Sequence, residues 1–314
     1  MKKPEKDQEA ASAKSAQVAK HIKQLWQVRE EVQNPHDLLI QAKALLLCAL
    51  PYKRTDAARI TKQAQIGRDL TLSVTFATMS EAGLPYGADR ALFAWIQTKA
   101  YPDGFVSFDS LREFLKAFEL DEGGKNYKRF YERLERLKGM AVSIKVEGPT
   151  GTLLNNIFPV RAAYTPRNPE QMRQQVNHEV NEAAGQMLLI PTPKQYGFQL
   201  DERFMAYFRS NPVPMPLSLM KIFYDRPKAW DFAQIVLYRC FAAKSVSVIP
   251  WEDLIGMLGS EDTDHPRLKY TLNAVLKEVK LVYPNVPAEF LEGQQGLRVS
   301  PWRPETEGRP KRIR

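Results

Sequence analysis

The chain has 314 residues, 44% of them hydrophobic, so it is long and apolar enough for two domains of ordinary size and is not globally disordered. Its formal net charge of +9 favours a polyanionic partner over a neutral metabolite. Its longest apolar stretch, residues 38–50, is shorter than the roughly 20 residues that span a bilayer, and no signal peptide is visible. We therefore expect a soluble, cytoplasmic protein without membrane contact.

Residues 1–50 are predicted to form a helical N-terminal extension. The first 15 residues are polar and charged, which is typical of a disordered end. A helix is expected next and should end before Pro35, and its single apolar face is made by Val18, Ile22, Leu25, Trp26 and Val32. Residues 36–50 are predicted as a second helix. The first helix either packs on the core of this chain or binds a partner protein.

Residues 51–164 show the element order of a winged helix-turn-helix domain. They begin with a basic stretch, residues 52–68, which is either a loop that reaches a DNA backbone or ordinary surface. The apolar patterns then predict a strand (70–78), an apolar helix (89–101), a helix (108–120), a glycine turn, a helix (124–138) and a hairpin of two strands (140–146 and 153–163). The hairpin would be the wing, and the helix before it would enter the DNA major groove.

The helix predicted over residues 124–138 is the strongest candidate for a recognition helix. Its apolar face carries Tyr127, Phe130, Tyr131, Leu134 and Leu137. Lysine and arginine neutralise phosphates, and arginine and asparagine bind guanine and adenine edges, so the candidate contacts are Lys125, Asn126, Lys128, Arg129, Arg133 and Arg136. The plainer alternative is a solvated surface helix, with Glu132 paired to Arg136 and Lys138 as a favourable C-terminal charge.

Residues 165–185 are polar and are predicted to link the first domain to a second winged-helix domain, residues 186–302. The second domain would begin with a strand-like segment (186–200), and a stiff extended connector is marked by Pro212, Pro214 and Pro216. The basic tail, residues 303–314, either follows phosphates or is a disordered end.

The second domain repeats the element order of the first. An apolar helix (230–242) precedes a short strand (246–249), two helices (251–258 and 265–280) and a strand (281–286). Apolar positions correspond at a nearly constant offset, which pairs Leu111, Leu115, Tyr127, Phe130, Leu134 and Leu137 with Leu254, Leu258, Tyr270, Leu272, Leu276 and Val279. The second recognition helix would contact DNA through Arg267, Lys269, Asn273 and Lys277, and Tyr270 is expected to pack inward.

Motifs for catalysis or cofactor binding are missing from the sequence. The four histidines are too widely spaced to bind a metal together, and there is neither a Cys-x-x-Cys pair nor a glycine-rich phosphate loop. Clustered acidic residues precede helices, where carboxylates cap exposed N–H groups. Cys48 and Cys240 lie in apolar runs and are expected to be buried thiols. We therefore predict a protein that is not an enzyme and needs no cofactor or metal.

Residues 50–165 resemble the core of the plasmid RepA-type replication initiators. The resemblance is carried by the strand at 70–76, by Leu84-Pro85-Tyr86-Gly87, by Arg90, Trp95 and Phe114-Leu115, and by Gly123-Gly124 before a basic, aromatic helix. The chain departs from the family at Ala88-Asp89, where a proline commonly precedes the arginine.

This resemblance implies an α+β, mainly helical fold with two tandem winged-helix domains. It implies a bacterial plasmid initiator that binds repeated origin sequences (iterons) as double-stranded DNA, promotes origin opening, and recruits the host replication initiator and the replicative helicase. It also implies a homodimeric form that represses its own gene. Two alternatives are a winged-helix transcriptional repressor and a protein-interaction scaffold that does not bind DNA.

Overall fold

The computed structural model describes residues 16, 19–29, 38–67, 69–108, 110–164, 196–259, 265–292 and 295–303. The expected disordered start, the linker at 165–185 and nearly all of the basic tail lie outside these residues. No helix in the described part of the chain is long and apolar enough to cross a membrane.

Helices and antiparallel strands are mixed along the chain, which confirms the predicted α+β class. The helices are α1 (19–29), α2 (Lys43–Leu47), α3 (Asp89–Ala100), α4 (Arg112–Ala117), α5 (Gly124–Lys138), α6 (Glu202–Ser210), α7 (Leu217–Ile222), α8 (Pro227–Ala242), α9 (Trp251–Leu258) and α10 (His265–Val282). The strands are β1 (Leu38–Ala42), β2 (Arg59–Gly67), β3 (Leu70–Thr78), β4 (Phe105–Phe108), β5 (Met140–Gly148), β6 (Gly151–Ile157), β7 (Val160–Tyr164), β8 (Tyr196–Leu200), β9 (Pro212–Pro216), β10 (Ser247–Ile249), β11 (Ala288–Phe290) and β12 (Leu297–Val299). The tandem winged-helix arrangement stays a prediction.

The largest sheet has the strand order β2-β3-β5-β6. Its inner face is apolar because β3 and β5 alternate, and Val74 opposes Ile144 there with both side chains buried. β5 and β6 form the predicted hairpin, but β6 ends at Ile157 and β7 joins a different sheet. Within the basic stretch 52–68, residues 52–58 form a loop and residues 59–67 form the edge strand β2.

The prediction of one helix over residues 36–50 is wrong. The chain forms β1 and the single-turn helix α2 there, and β1 pairs with the proline-rich strand β9. Pro212, Pro214 and Pro216 alternate with Val213 and Met215 in this register. A strand in which every second residue lacks an N–H donates on one side only, so β9 can pair only with β1 and the sheet stops at two strands. Tertiary pairing thus overrides the helical pattern of the segment.

The chain after the linker packs against the first unit, residues 51–164. β8 pairs with both β4 and β7, which come from residues 51–164. α6 follows, and its Phe204 and Phe208 rings lie 6.2 Å and 5.2 Å from the rings of Phe93 and Tyr101. Residues 196–210 therefore pack on the first unit, although the sequence places them in the range 186–302.

The second unit contains α8, α9, α10 and a sheet of order β10-β12-β11. The strand predicted over 281–286 is wrong, because α10 continues to Val282 and the next strand is β11. Val279 and Val282 are both buried and extend the helical spacing, and the helix ends two residues before Pro284.

Buried polar contacts join the two units. Lys62 of β2 donates to the carbonyl of Leu258 at 2.9 Å and to that of Leu50 at 3.2 Å. Arg90 of α3 forms an ion pair with Asp231 of α8. The side chains of Lys62, Arg90 and Asp231 are all buried. Buried charges need partners in fixed geometry, so these contacts hold α8 and α9 against the first unit.

Candidate nucleic-acid interface

Helix α5 is placed by its apolar face, as the sequence predicts. Phe130, Leu134 and Leu137 are buried, and the helix packs against α3 and β7. The Phe130 ring meets that of Phe114 on α4 at 5.3 Å, which joins the two helices across the turn that separates them. α4 itself is shorter than the predicted helix over 108–120, because β4 takes the chain up to Phe108. The helix, turn, helix and hairpin therefore occur in the predicted order.

The solvent face of α5 carries three exposed cations, Lys125, Lys128 and Arg129. Asn126 is half-buried, and its side-chain amide donates to the backbone carbonyl of Asp121 at 2.8 Å. This bond closes the turn before the helix, so we remove Asn126 from the predicted DNA contacts. Lys125, Lys128 and Arg129 are exposed and remain the predicted DNA contacts of α5.

Arg133 and Arg136 point toward the protein rather than toward solvent. The Arg136 Nε and Nη2 atoms donate to the Asp89 carboxylate at 2.6 Å and 3.0 Å, and its guanidinium lies 4.7 Å from the centre of the Tyr86 ring. Arg133 lies 3.4 Å from the same carboxylate and donates to the Tyr224 hydroxyl. The Arg136 side chain is 11% exposed, and the Arg133 side chain is 15% exposed. We remove both from the predicted interface, because DNA could reach them only by breaking a buried ion pair.

Asp89 joins the start of α3 to α5. It begins α3, where the helix dipole favours an anion, and its Oδ2 accepts the backbone N–H of Tyr86 at 3.0 Å. Burial alone would lower the pKa of Arg136, but the hydrogen bond and charge of Asp89 raise that pKa above its ordinary value. The residue at which the chain departs from the RepA-type pattern is therefore the acceptor that orients α5. The local i,i+4 pairing of Glu132 with Arg136 is replaced by this contact.

Helix α10 presents a different set of side chains. Its core face is made by Leu268, Leu272, Val275, Leu276, Val279 and Val282. Arg267, Asn273 and Lys277 are exposed on the other side, as predicted, whereas Lys269 is half-buried and donates to the carbonyl of Leu291 at 2.9 Å.

The prediction that Tyr270 packs inward is wrong, because the side chain is 81% exposed. Tyr270 lies about 200° around the helix from the buried Leu268, and therefore on the solvent side. A helical wheel drawn on Leu268, Leu272 and Val279 would have found this, whereas the alignment of Tyr270 with Tyr127 concealed it. Tyr270 joins Asn273 and Lys277 on one exposed face.

The hairpin β5–β6 carries little free positive charge. Lys145 on β5 pairs with Glu147 at 2.7 Å, and Leu153 and Leu154 on β6 are both exposed. The surface of the hairpin is therefore polar and apolar rather than basic.

The part of the chain that the structure describes holds neither a metal-ligand cluster nor an accessible thiol. No three His, Cys, Asp or Glu side chains there are placed to hold a metal ion. Cys48 and Cys240 are buried and unpaired, and burial raises the pKa of their thiols to about 12 and about 11. Thiols with such pKa values are protonated at neutral pH and are poor nucleophiles.

No protein-family model matches the sequence, and no curated protein is similar to it in sequence. The fold is similar to a crystal structure of selenomethionine derivatives of domains 2 and 3 of RctB, with 11% identity and a TM-score of 0.47 over 80% of this chain and 94% of that one. A second structure of RctB domains 2–3 gives 12% identity and a TM-score of 0.47 over 80% and 85% of the two chains.

Proposed function

We propose that this protein is a sequence-specific, double-stranded-DNA-binding initiator of plasmid replication that acts in the bacterial cytoplasm. The observation that carries the proposal is the pair of exposed helix faces, on α5 and on α10, each on a helix that follows a shorter one. The first face carries Lys125, Lys128 and Arg129, and the second carries Tyr270, Asn273 and Lys277. The net charge of +9 and the resemblance of residues 50–165 to RepA-type initiators support it.

The two faces differ in the contacts that they are suited to make. On α5, Lys125 and Lys128 would neutralise phosphates, and Arg129 would form a forked contact with guanine. On α10, Asn273 has the geometry for adenine, Tyr270 offers an apolar ring with a polar hydroxyl, and Lys277 would neutralise a phosphate. Two helices that enter successive major grooves of one site would lie about one helical turn apart on the duplex.

Initiation and its control add three proposals to DNA binding. Origin opening would be driven by binding energy and by bending of the duplex, since pyrimidine–purine steps deform readily. Recruitment of the host replication initiator and replicative helicase, and a homodimeric form that represses the gene, are carried over from the RepA-type resemblance and belong to the proposal.

The proposal is tested by binding to DNA from the neighbourhood of the gene. The full chain is titrated with a duplex carrying the local direct repeats and with a shuffled duplex of equal composition at the same salt concentration. We expect the repeat duplex to bind about 1,000-fold more tightly. Equal affinity for the two duplexes would contradict the proposal.

A transcriptional repressor could use the same helix faces, so a second experiment separates the two functions. A minimal plasmid that carries the origin is constructed with and without the gene. Failure to replicate without the gene supports the initiator, and persistence supports the repressor.

The scaffold alternative is disfavoured by the position of α1. Leu25 and Val28 of this helix are buried, and His21 lies 3.1 Å from Glu278 of α10. α1 therefore packs on its own chain, although Ile22 and Trp26 remain exposed. Absence of DNA affinity at low salt would restore the scaffold reading.

A further inference from the structure

The turn formed by residues 223–226, between α7 and α8, contacts both candidate recognition helices. On one side, Arg133 of α5 donates to the Tyr224 hydroxyl, and its guanidinium lies 5.5 Å from the centre of the Tyr224 ring. On the other side, Arg226 makes two hydrogen bonds with the Glu278 carboxylate of α10, at 2.8 Å and 3.1 Å. Tyr224 and Arg226 are two residues apart, so their Cα atoms are separated by about 7 Å at most.

This turn has little freedom to move. Phe223 is fully buried, and the backbone N–H of Arg226 donates to the Phe223 carbonyl at 2.9 Å. Pro227 follows at the start of α8, where its fixed φ suits the first helical turn. The Tyr224 ring also packs against that of Phe118 at 5.4 Å. The turn can therefore transmit position from one helix to the other.

Each helix is held at its contact by a second group. Arg133 lies between Tyr224 and the Asp89 carboxylate, which is 3.4 Å away. Glu278 is 18% exposed and lies between Arg226 and His21 of α1, whose Nε2 is 3.1 Å from it. Bidentate arginine–carboxylate pairs fix direction as well as distance. The path from α5 to α10 thus runs from Arg133 to Tyr224, along the backbone of the turn to Arg226, and from there to Glu278.

We propose that Tyr224 and Arg226 are positioning residues that set the distance and angle between α5 and α10, and hence the spacing of the two DNA segments that the protein accepts. The inference rests on the proposed DNA-binding function. One added base pair moves a half-site by about 3.4 Å and rotates it by about a tenth of a turn. A rigid pair of helices rejects such a site, whereas a loosened pair accepts it.

The test uses a duplex selected by the wild-type full chain from a random pool, together with versions that carry one inserted base pair between the two contacted segments. The variants are Glu278→Gln and Tyr224→Phe, which keep side-chain volume and remove the charge or the hydroxyl. The control is Glu202→Gln. The Glu202 carboxylate accepts a hydrogen bond of 2.7 Å from Arg209, and both residues belong to α6 rather than to α5 or α10.

We expect the insertion to weaken binding about tenfold for wild type and for Glu202→Gln, and about threefold or less for the two variants. An equal penalty in wild type and variants would overturn the inference and leave the proposed function intact. Failure of wild type to select any duplex would instead contradict the proposed function.

A second measurement tests the turn without DNA. Spin labels are attached at Lys128→Cys and Lys277→Cys, and the native Cys48 and Cys240 are buried and should not react. The label-to-label distance distribution should be narrow in the parent and about twofold broader after Glu278→Gln. An unchanged distribution would overturn the inference whatever the protein binds.

Discussion

Arg136 of α5 donates two hydrogen bonds, of 2.6 Å and 3.0 Å, to the carboxylate of Asp89 at the start of α3. The contact fixes how far α5 is rotated about its axis, because it ties one side of the helix to the apolar helix beneath it. Lys125, Lys128 and Arg129 are exposed as a consequence. Arg136 thus orients the DNA-binding face that we propose and does not belong to it.

Replacement of Asp89 by alanine should destabilise the fold strongly. Asp89 is buried, and its loss would remove the buried carboxylate that Arg133 and Arg136 share. We expect a loss of about 3 kcal/mol in the free energy of unfolding, measured by urea denaturation. Glu135→Ala on the same helix removes only an exposed pair with Lys138 and should cost less than about 1 kcal/mol. Similar losses in the two variants would contradict the assigned role of Asp89.

Arg129→Ala and Lys128→Ala should have different effects on DNA binding. Loss of the forked guanine contact should reduce discrimination at one base pair by about 1–3 kcal/mol. Loss of Lys128 should weaken binding to all sequences alike. Lys138→Ala, at the end of the helix, should have only a mild effect. Affinities for a set of singly substituted duplexes measure the difference, and identical profiles for Arg129→Ala and Lys128→Ala would refute the assignment of Arg129 to a base.

Tyr270→Ala should weaken DNA binding and leave stability unchanged. The side chain is 81% exposed, so the free energy of unfolding should change by less than about 0.5 kcal/mol. We expect about a tenfold loss of affinity for the preferred duplex. Val246→Ala, also at an exposed apolar position, is the control and should leave affinity unchanged. Full affinity in Tyr270→Ala would exclude this residue from the interface.

Lys62 should make stability rise with pH above about pH 8. Burial lowers the pKa of Lys62 from its ordinary value of 10.5 to about 8, although Asp231 acts in the opposite direction. Between these two pKa values the unfolded chain keeps a proton that the folded chain has lost, so the free energy of unfolding increases as pH rises through the window. The stabilisation gained when Lys62 loses its proton is complete above 10.5, the ordinary pKa of lysine in an unfolded chain. It is lost as pH falls through about 8, the pKa of Lys62 in the folded protein.

The pH effect is isolated by comparison with Lys62→Met. Buried thiols and phenols titrate in both proteins and cancel in the difference. Wild type should gain about 1 kcal/mol per pH unit relative to the variant from about pH 8 upward, in urea denaturation series. A difference that does not change with pH would show that Lys62 stays protonated in the folded protein.

The sequence predicted the elements whose signals are local. The bounds of α5 are those predicted, because Phe130, Leu134 and Leu137 repeat at helical spacing and two glycines stand before them. The predicted strand at 70–78 is likewise confirmed as β3, because its apolar residues alternate.

Contacts between distant residues were not predictable in this way. Arg136 and Asp89 are 47 positions apart, and a local partner for the arginine was available at Glu132. β1 forms because β9 pairs with it from more than half the chain away, and no pattern within residues 36–50 signals that partner. The exposure of Lys125, Lys128 and Arg129 on α5 was predicted correctly. Arg133 and Arg136 were also expected to face solvent, and that was wrong. Helical periodicity alone does not reveal a buried carboxylate on a neighbouring helix.

The central claim is that the exposed faces of α5 and α10 form one DNA interface. It is tested most directly by the salt dependence of DNA binding. The triple variant Lys125→Ala, Lys128→Ala, Lys277→Ala is compared with wild type on the same duplex. The control replaces three other exposed cations by alanine. They are Lys99 in the last turn of α3 and Arg203 and Arg209 on α6. The slope of log affinity against log salt should fall in magnitude by about 3 in the first variant and stay at the wild-type value in the control. A wild-type slope in the first variant, or an equal fall in both, would contradict the interface.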